Sequence, residues 1–137
     1  MCSSDLENAA ERYRIALKRA PENALLLNNL AWAASQLKRP EALEHAERAH
    51  ELAPENPNIM DTLGVILVGS GQTERGLALL GRAAELAPDA HQIRLNFAKA
   101  LLKVERKAAA RKELEPLATL DTRLPVQQEA AKLLAGL

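Results

Sequence analysis

The residues with the side-chain chemistry for catalysis or metal binding are few, and their spacing fits neither role. His45 and His50 are five residues apart, which places them on different faces of a helix, and His91 is remote from both. Cys2 is the single cysteine, so it can form no internal disulfide, and no histidine stands at metal-ligand spacing from it. We therefore expect no catalytic residue, no metal site and no cofactor, and we predict that the chain is not an enzyme.

The composition indicates one helical domain built from aliphatic side chains. The chain has 137 residues, of which 47% are hydrophobic and only 2% aromatic, so the core must consist mainly of Leu and Ala. Charged residues make up 26% of the chain, enough for a well-solvated outer surface. No apolar run approaches the roughly 18 residues that a membrane-spanning helix needs. Disordered, β-rich and membrane-inserted classes are therefore disfavoured.

Prolines recur with the period of a helical hairpin. Pro54 follows Pro21 by 33 residues, and Pro88 follows Pro54 by 34 residues. Matching positions, mostly small or aliphatic, precede each proline: Ala9, Tyr13 and Ala16; Ala42, Ala46 and Ala49; Gly76, Leu80 and Ala83. A weaker copy without a closing proline contains Ala110, Leu114 and Leu117. The pattern predicts a stack of helical hairpins, each closed by its proline.

The first half of each unit carries a second motif, in which a large apolar residue precedes a small one. The copies are Leu30-Ala31, Leu63-Gly64 and Phe97-Ala98. Antiparallel helices approach closely only where one presents Gly or Ala, so we expect Gly64 and Gly76 at such contacts. Together the two motifs resemble the tetratricopeptide repeat (TPR) over nearly all of residues 7–118. The resemblance implies an all-α TPR-type α-solenoid of antiparallel helix pairs that form a right-handed superhelix.

The period divides a single domain, 1–137, into repeats. We expect the second helix of a truncated repeat at 7–22, repeats at 23–55 and 56–89, a divergent repeat at 90–122, and a capping helix at 123–137. The helices are predicted at 7–19, 23–37, 40–52, 57–69, 73–86, 90–104, 107–119 and from 125 onward. Residues 1–6 do not continue the pattern, and we interpret them as foreign to the repeats. A natural N-terminus in which Ser3, Ser4 or Asp5 caps the helix is the alternative.

Individual residues predict how the helices begin and end. Asn56 precedes Pro57, which is the order of an N-cap followed by a proline at the first helical position. Gly71 follows an apolar helical segment, and we expect it to end that helix with a positive φ. Glu105 stands where Gly71 stands one repeat earlier, so we expect the last turn to differ.

The TPR resemblance also implies where a partner would bind. In TPR superhelices the first helices of successive hairpins line a concave groove that holds a peptide or a partner segment. The predicted groove residues are Leu25, Asn28, Asn29, Trp32, Ser35, Gln36, Asn58, Asp61, Thr62, Val65, Val68, Gly69, Gln92, Leu95, Asn96, Lys99, Leu102 and Lys103. Chaperone-tail clamps carry lysines and an arginine along these helices, and that signature is not met here.

Three polar residues occupy equivalent groove positions one repeat apart: Asn29, Thr62 and Asn96. In related TPR proteins, asparagines at such positions bind a peptide backbone, because an amide both donates and accepts hydrogen bonds. The alternative is that Asn28 and Asn29 only bond neighbouring repeats. Trp32, the sole tryptophan, is expected either as an exposed anchor for a partner or packed against the preceding helix near Tyr13 or Leu17.

Charge is balanced overall but uneven along the chain. Residues 91–112 contain seven basic side chains against one acidic, whereas 41–61 contain six acidic against one basic. Such polarity would steer an acidic partner to one end of the groove, with Lys99 and Lys103 as its contacts. The alternative is a solvated surface that keeps the stack soluble. The basic cluster lacks aromatic stacking residues, so nucleic acid is not an expected partner.

A narrower resemblance rests on 27–32, 61–64 and 71–89. These segments are similar to bacterial envelope TPR proteins, especially the TPR-repeat lipoprotein of exosortase (PEP-CTERM) systems. That resemblance implies a scaffold on the periplasmic or outer-membrane side; without it, a cytoplasmic location is expected. Val65 departs from the tryptophan usual after that glycine.

Two functions are therefore predicted. The first is a non-enzymatic scaffold that binds a peptide or partner segment in the groove, with no direct membrane insertion. The second is a structural spacer within a longer superhelix, because the first helix of the first repeat is missing and the groove contains few aromatic residues. We also expect weak self-association through the first helix, whose apolar surface is wider than one neighbouring helix covers and comprises Leu6, Ala9, Ala10, Tyr13, Ala16 and Leu17.

Overall fold

Helices account for all the regular structure in the described chain. The computed structural model describes residues 2–121 and 123–137. Its helices are α1 (Ser3–Arg19), α2 (Ala24–Gln36), α3 (Ala42–Leu52), α4 (Pro57–Gly69), α5 (Thr73–Leu86), α6 (His91–Lys103), α7 (Lys107–Ala118) and α8 (Pro125–Ala135). The all-α prediction is confirmed. None of the described helices is both long enough and apolar enough to cross a membrane.

The helices pack as successive antiparallel pairs, α2 with α3, α4 with α5, and α6 with α7. The first helices also contact one another, α2 with α4 and α4 with α6, and α8 packs on both α6 and α7. Aliphatic side chains fill the interior between these layers. The largest fully buried side chains are Leu30, Ile59, Leu63, Leu67, Leu80, Leu95, Leu114 and Leu117. The first helices α2, α4 and α6 therefore lie side by side in one row.

The middle hairpin closes at two glycines, one on each helix. A Cβ at Gly76 would lie 2.8 Å from the Gly64 carbonyl oxygen and 2.9 Å from the Val68 backbone nitrogen. A Cβ at Gly64 would lie 2.7 Å from Cγ of Leu80. Backbones this close leave no space for a side chain, so the predicted place of Gly76, where two helices nearly touch, is confirmed.

All three turns within hairpins share one backbone conformation. Lys38, Gly71 and Glu105 have φ of 57°, 92° and 62°, in the left-handed region. The next residue's amide then donates to a carbonyl in the preceding helix; for example, Gln72 N bonds Leu67 O at 2.9 Å and Arg106 N bonds Leu101 O at 2.8 Å. The positive φ of Gly71 is confirmed, and the expectation that the Glu105 turn differs is wrong. The shared turn geometry prevails although a side chain is unfavourable there.

Helix α1 begins earlier than predicted. Ser3, Ser4 and Asp5 lie inside it, and the N-cap position belongs to Cys2, which makes no side-chain capping bond. The predicted helix start at residue 7 is therefore wrong, and so is capping by Ser3, Ser4 or Asp5. Met1 and Thr122, which bound two of the predicted segments, lie outside the described residues.

Two further boundaries illustrate local control of the helices. Asn56 Oδ1 accepts hydrogen bonds from the amides of Asn58 at 2.9 Å and Ile59 at 3.3 Å, so Asn56 is the predicted N-cap of α4. Helix α3 begins at Ala42, not at Pro40, because residues 39–41 form a turn in which the Ala42 amide donates to Arg39 O at 3.3 Å.

The apolar face of α1 is largely covered by α2. Leu6, Tyr13 and Leu17 pack around buried Leu30. Contrary to the prediction, these residues are therefore not the bare surface of α1. Ile15, which the prediction did not include, is 53% exposed.

Candidate binding groove

A cleft of about 450 Å³ opens where the first helices α2, α4 and α6 lie side by side. We name it the polar cleft, because all but two of its lining residues are polar. It is lined by Leu25, Asn28, Asn29, Trp32, Asn58, Asp61, Thr62, Gln92 and Asn96. The helical period places these side chains on one face of each helix, and the repeat period aligns those faces.

A short hydrogen-bonded series crosses the polar cleft from α6 to α4. Gln92 Nε2 donates to Asn96 Oδ1 at 3.0 Å. Asn96 Nδ2 donates in turn to both carboxylate oxygens of Asp61, at 3.2 and 3.0 Å. The Asn96 amide therefore bonds within the protein, and it fixes the orientation of the Asp61 carboxylate.

Asp61 is the one ionisable side chain that lines the polar cleft. Among the described residues it has no basic partner within ion-pair distance. Burial raises the pKa of this carboxyl to about 6, against the opposing effect of the Asn96 hydrogen bond. Near neutral pH the cleft therefore holds a poorly solvated carboxylate whose protein donors come from a single amide.

The three predicted equivalent residues differ in their bonding. Thr62 is only 7% exposed, and its hydroxyl donates to the Asn58 carbonyl one turn back at 3.1 Å. Asn29 is exposed, and its side chain makes no hydrogen bond within the described chain. Asn28 Oδ1 is buried and has no donor among the described residues. No bond from Asn28 Oδ1 to a neighbouring repeat is therefore present there.

Trp32 stands between two hollows. It is 45% exposed and lines the polar cleft. It also lines a hollow of about 70 Å³ together with Tyr13, Leu6 and Ala33. The two predicted placements of Trp32 are therefore combined, since the indole adjoins α1 near Tyr13 and also faces the cleft.

A second opening of about 500 Å³, which we name the turn cleft, lies near the C-terminal ends of α2, α4 and α6. It is lined by Ser35, Gln36, Lys38, Arg39, Pro40, Ala42, Leu43, Val65, Ile66, Gly69, Ser70 and Lys103. The predicted residues Gln36, Val65 and Lys103 thus lie together, but apart from the polar cleft. Sequence reasoning missed Lys38 and Arg39, although Lys38 occupies the repeat position of Gly71 and could have been placed in the turn by that signal.

Comparison with known proteins shows that the fold of this chain is similar to that of TPR proteins. A TPR repeat-containing protein of Pseudomonas aeruginosa is 30% identical over 92 residues, which are 66% of this chain and 15% of that protein. YrrB, a TPR protein with an unusual peptide-binding site, superposes with a TM-score of 0.73 at 21% identity over 94% of this chain and 67% of its own. A thermophilic TPR protein from Thermus thermophilus gives 0.80 at 19% identity, over 96% and 74% of the two chains. The chain has the fold of a TPR α-solenoid.

Two further comparisons limit the functional conclusions that follow from the similarity to TPR proteins. An O-GlcNAc transferase mutant from Thermobaculum terrenum superposes with a TM-score of 0.76 at 28% identity, over 85% of this chain but 23% of the transferase. No protein-family model matches the chain. The TPR solenoid thus spans a small part of both the transferase and the Pseudomonas protein, so their whole-chain activities do not transfer to it.

Three predicted groove positions are occupied by packing within the TPR solenoid. Leu95 is fully buried and Val68 is 6% exposed. Leu102 is partly buried between two core clusters. These assignments to the groove surface are wrong, because the face of α6 beside Leu95 is covered by α8 and Val68 faces Gly76 of α5. Lys99 forms an ion pair with Glu129 of α8.

The uneven charge of the sequence is mixed in space. Acidic residues of 41–61 pair with arginines of neighbouring repeats: Glu41 with Arg14, Glu47 with Arg75, and Glu55 with Arg82. The Arg75 guanidinium also lowers the pKa of Glu47. In the basic segment, Arg94 and Arg106 pair with Glu113 and Glu74. The expected charge gradient along the groove is therefore largely neutralised, and Lys103 is left as its predicted basic contact.

Proposed function

We propose that this TPR solenoid is a non-enzymatic protein-binding module that holds an extended partner segment across the groove. The observation that carries the proposal is the polar cleft itself. It joins an exposed indole, Trp32, to amide groups of three consecutive first helices, and Asn29 and Asn28 Oδ1 retain unused bonding capacity. An extended backbone presents alternating donors and acceptors, which such amides can match. The peptide-binding site of YrrB is a precedent on a similar fold.

The proposal is tested by selecting ligands on the folded chain. A phage-displayed library of random peptides is panned on the immobilised chain, and enriched peptides are synthesised. Their binding site is then mapped by amide chemical shifts, which we expect to move at Asn29, Asp61 and Asn96. Fluorescence of Trp32, the sole tryptophan, gives an independent signal because it lines the same cleft. The proposal would be contradicted if no peptide is enriched. It would also be contradicted if the enriched peptides change the amide chemical shifts of α3, α5 and α7 alone.

Asn29→Ala supplies the specific variant for this test, and Glu44→Ala supplies its control. Glu44 is an exposed residue of α3 and lines neither cleft. Groove binding predicts weaker affinity for the Asn29 variant and unchanged affinity for the Glu44 variant.

A structural spacer of a longer superhelix is the second candidate, and α1 carries the observation that favours it. Ile15 is 53% exposed, and Arg12, Ala16 and Arg19 surround a shallow hollow on the same side. A further repeat, or a second copy, stacked on α1 would bury this surface. Light scattering at rising concentration tests it: Ile15→Asp should reduce any self-association that the unaltered chain shows.

The envelope assignment extends the first candidate. On the segments 27–32, 61–64 and 71–89, which resemble the TPR-repeat lipoprotein of PEP-CTERM systems, we propose a scaffold on the periplasmic or outer-membrane side of a bacterial envelope. Fractionation of the source bacterium with an antibody to this chain tests that location.

A further inference from the structure

The polar cleft contains acceptors that lack donors. A carboxylate offers about four lone-pair sites, and Asp61 receives protein hydrogen bonds from the single Asn96 amide nitrogen. Asn28 Oδ1, on the neighbouring helix, is buried without a donor in the described part of the chain. Leaving a buried acceptor unsatisfied costs free energy that a ligand donor would recover.

The charge of the cleft points in the same direction. Its lining includes one carboxylate and no Lys, Arg or His, although basic residues make up 18 of the 137 residues of the chain. Most other acidic residues near the repeats are paired with arginines, for example Glu47 with Arg75 and Glu74 with Arg106. Asp61 therefore differs from these carboxylates, because it has no ion-pair partner in the described part of the chain.

Trp32 adds an aromatic surface to the same cleft. The indole is 45% exposed beside Leu25, which is 58% exposed. Trp is the side chain that attracts cations most strongly through its ring face. A ligand group that carries positive charge, several donors and a planar face would engage each of these features.

We propose that the polar cleft binds an arginine side chain of the partner segment, with the guanidinium donating to Asp61 and Asn28 and lying against Trp32. This inference rests on the proposed function, since it names the residue by which the partner is recognised. Arginine is favoured over lysine because the guanidinium has five donors in a fixed plane, matches a carboxylate with two bonds, and stacks on aromatic rings. The ammonium of lysine is a strongly hydrated point charge without a stacking face.

The random-peptide selection tests the inference when it is run on three proteins in parallel. They are the unaltered chain, Asp61→Asn, and Asp89→Asn as the matched control, in which an exposed aspartate outside the cleft loses the same charge. We expect arginine to be enriched at one position with the unaltered chain and with Asp89→Asn. We expect that enrichment to disappear with Asp61→Asn.

A synthetic peptide from the selection sharpens the test without altering the protein. Replacing its arginine by citrulline keeps the shape and removes the charge. Because hydrogen bonds to a charged group contribute about 1.5–3 kcal/mol, the affinity of the unaltered chain should fall about tenfold or more. The same replacement should change the affinity of Asp61→Asn by less than about twofold, since the charge partner is already absent.

The outcomes separate the two proposals. Peptides that map to the polar cleft but show no arginine preference, an equal preference for lysine, or a preference for acidic residues would overturn the arginine inference and leave groove binding intact. If no selected peptide maps to the cleft, groove binding fails and the inference fails with it. Circular dichroism of the variants distinguishes lost recognition from lost fold.

Discussion

Helix α4 has two faces that differ in almost every physical respect. Towards α5 it presents Gly64 and Val68, packed against Gly76 so closely that no additional atom fits. Towards the groove it presents Asp61 and Val65, which border open clefts. Gly64 therefore serves helix packing, whereas Asp61, three residues away, borders the cleft in which we propose that a partner binds. Substitutions on this one helix should therefore separate into effects on stability and effects on binding.

The largest effect is expected on the packed side. Gly76→Ala places a Cβ 2.8 Å from a backbone oxygen and 2.9 Å from a backbone nitrogen, so the hairpin must open, at a cost of about 2–3 kcal/mol. Gly81→Ala in the same helix is the matched control, because there a Cβ would meet Phe97 at an ordinary 3.5 Å. Urea unfolding measures both. Equal stability of the two variants would show that the close contact between α4 and α5 does not limit the stability of the fold.

The next effect concerns Asp61 and has the opposite sign. Its pKa is raised to about 6 in the folded chain, so ionisation favours the unfolded state as pH rises from about 4 to 6. Asp61→Asn should therefore stabilise the protein by about 1–2 kcal/mol at pH 7.5, a value reduced for the partial exposure of the carboxyl. Below about pH 4 the gain should vanish, since both states are then protonated. Urea unfolding at pH 3.5 and 7.5 checks this; a destabilised Asp61→Asn at pH 7.5 would contradict it.

A smaller effect is expected at the open edge of the groove. Asn29 is exposed, so Asn29→Ala should leave the free energy of unfolding within about 0.5 kcal/mol of the unaltered chain. Affinity for a selected peptide should nevertheless fall about threefold to tenfold, the effect of one lost hydrogen bond. Calorimetric titration and thermal unfolding measure the two quantities separately. A loss of stability with unchanged affinity would assign Asn29 to the fold.

How much of the structure could be predicted from the sequence depends on how far along the chain each sequence pattern acts. The spacing of prolines and small residues predicted seven of the helices to within a few residues, because each signal lies within one hairpin and recurs. The same period placed the residues of the polar cleft on one wall. The hydrogen bonds from Asn96 to Asp61 could not be predicted, because they depend on the lateral distance between α4 and α6.

Two incorrect predictions also concern contacts between separate units of the stack. Lys99 has the pattern of a groove residue, but α8 brings Glu129 to it. The acidic and basic segments look polarised along the chain, yet residues such as Glu55 and Arg82, 27 positions apart, meet across repeats. Both depend on how neighbouring units stack, for which a single repeat carries no pattern.

The smallest effect concerns the turn that follows each groove helix. Gly71 after α4 has φ of 92°, and Glu105 after α6 has the same left-handed conformation with a side chain. Glu105→Gly should gain about 0.5 kcal/mol, because relief of the left-handed strain exceeds the greater flexibility of glycine in the unfolded chain. Gly71→Ala should lose a similar amount. Denaturation midpoints of both variants test whether the α4 and α6 turns are energetically equivalent.

The arginine–glutamate pairs on the second helices have a consequence for how the solenoid comes apart. Arg14 with Glu41, Glu47 with Arg75, and Glu74 with Arg106 each join one repeat to the next. A linear array of this kind is described by an intrinsic stability for each unit and a coupling between adjacent units. Part of that coupling is electrostatic, because it comes from these ion pairs, and dissolved salt screens it. We therefore expect higher ionic strength to weaken this part of the coupling, whereas the apolar clusters that also join adjacent repeats are much less sensitive to salt.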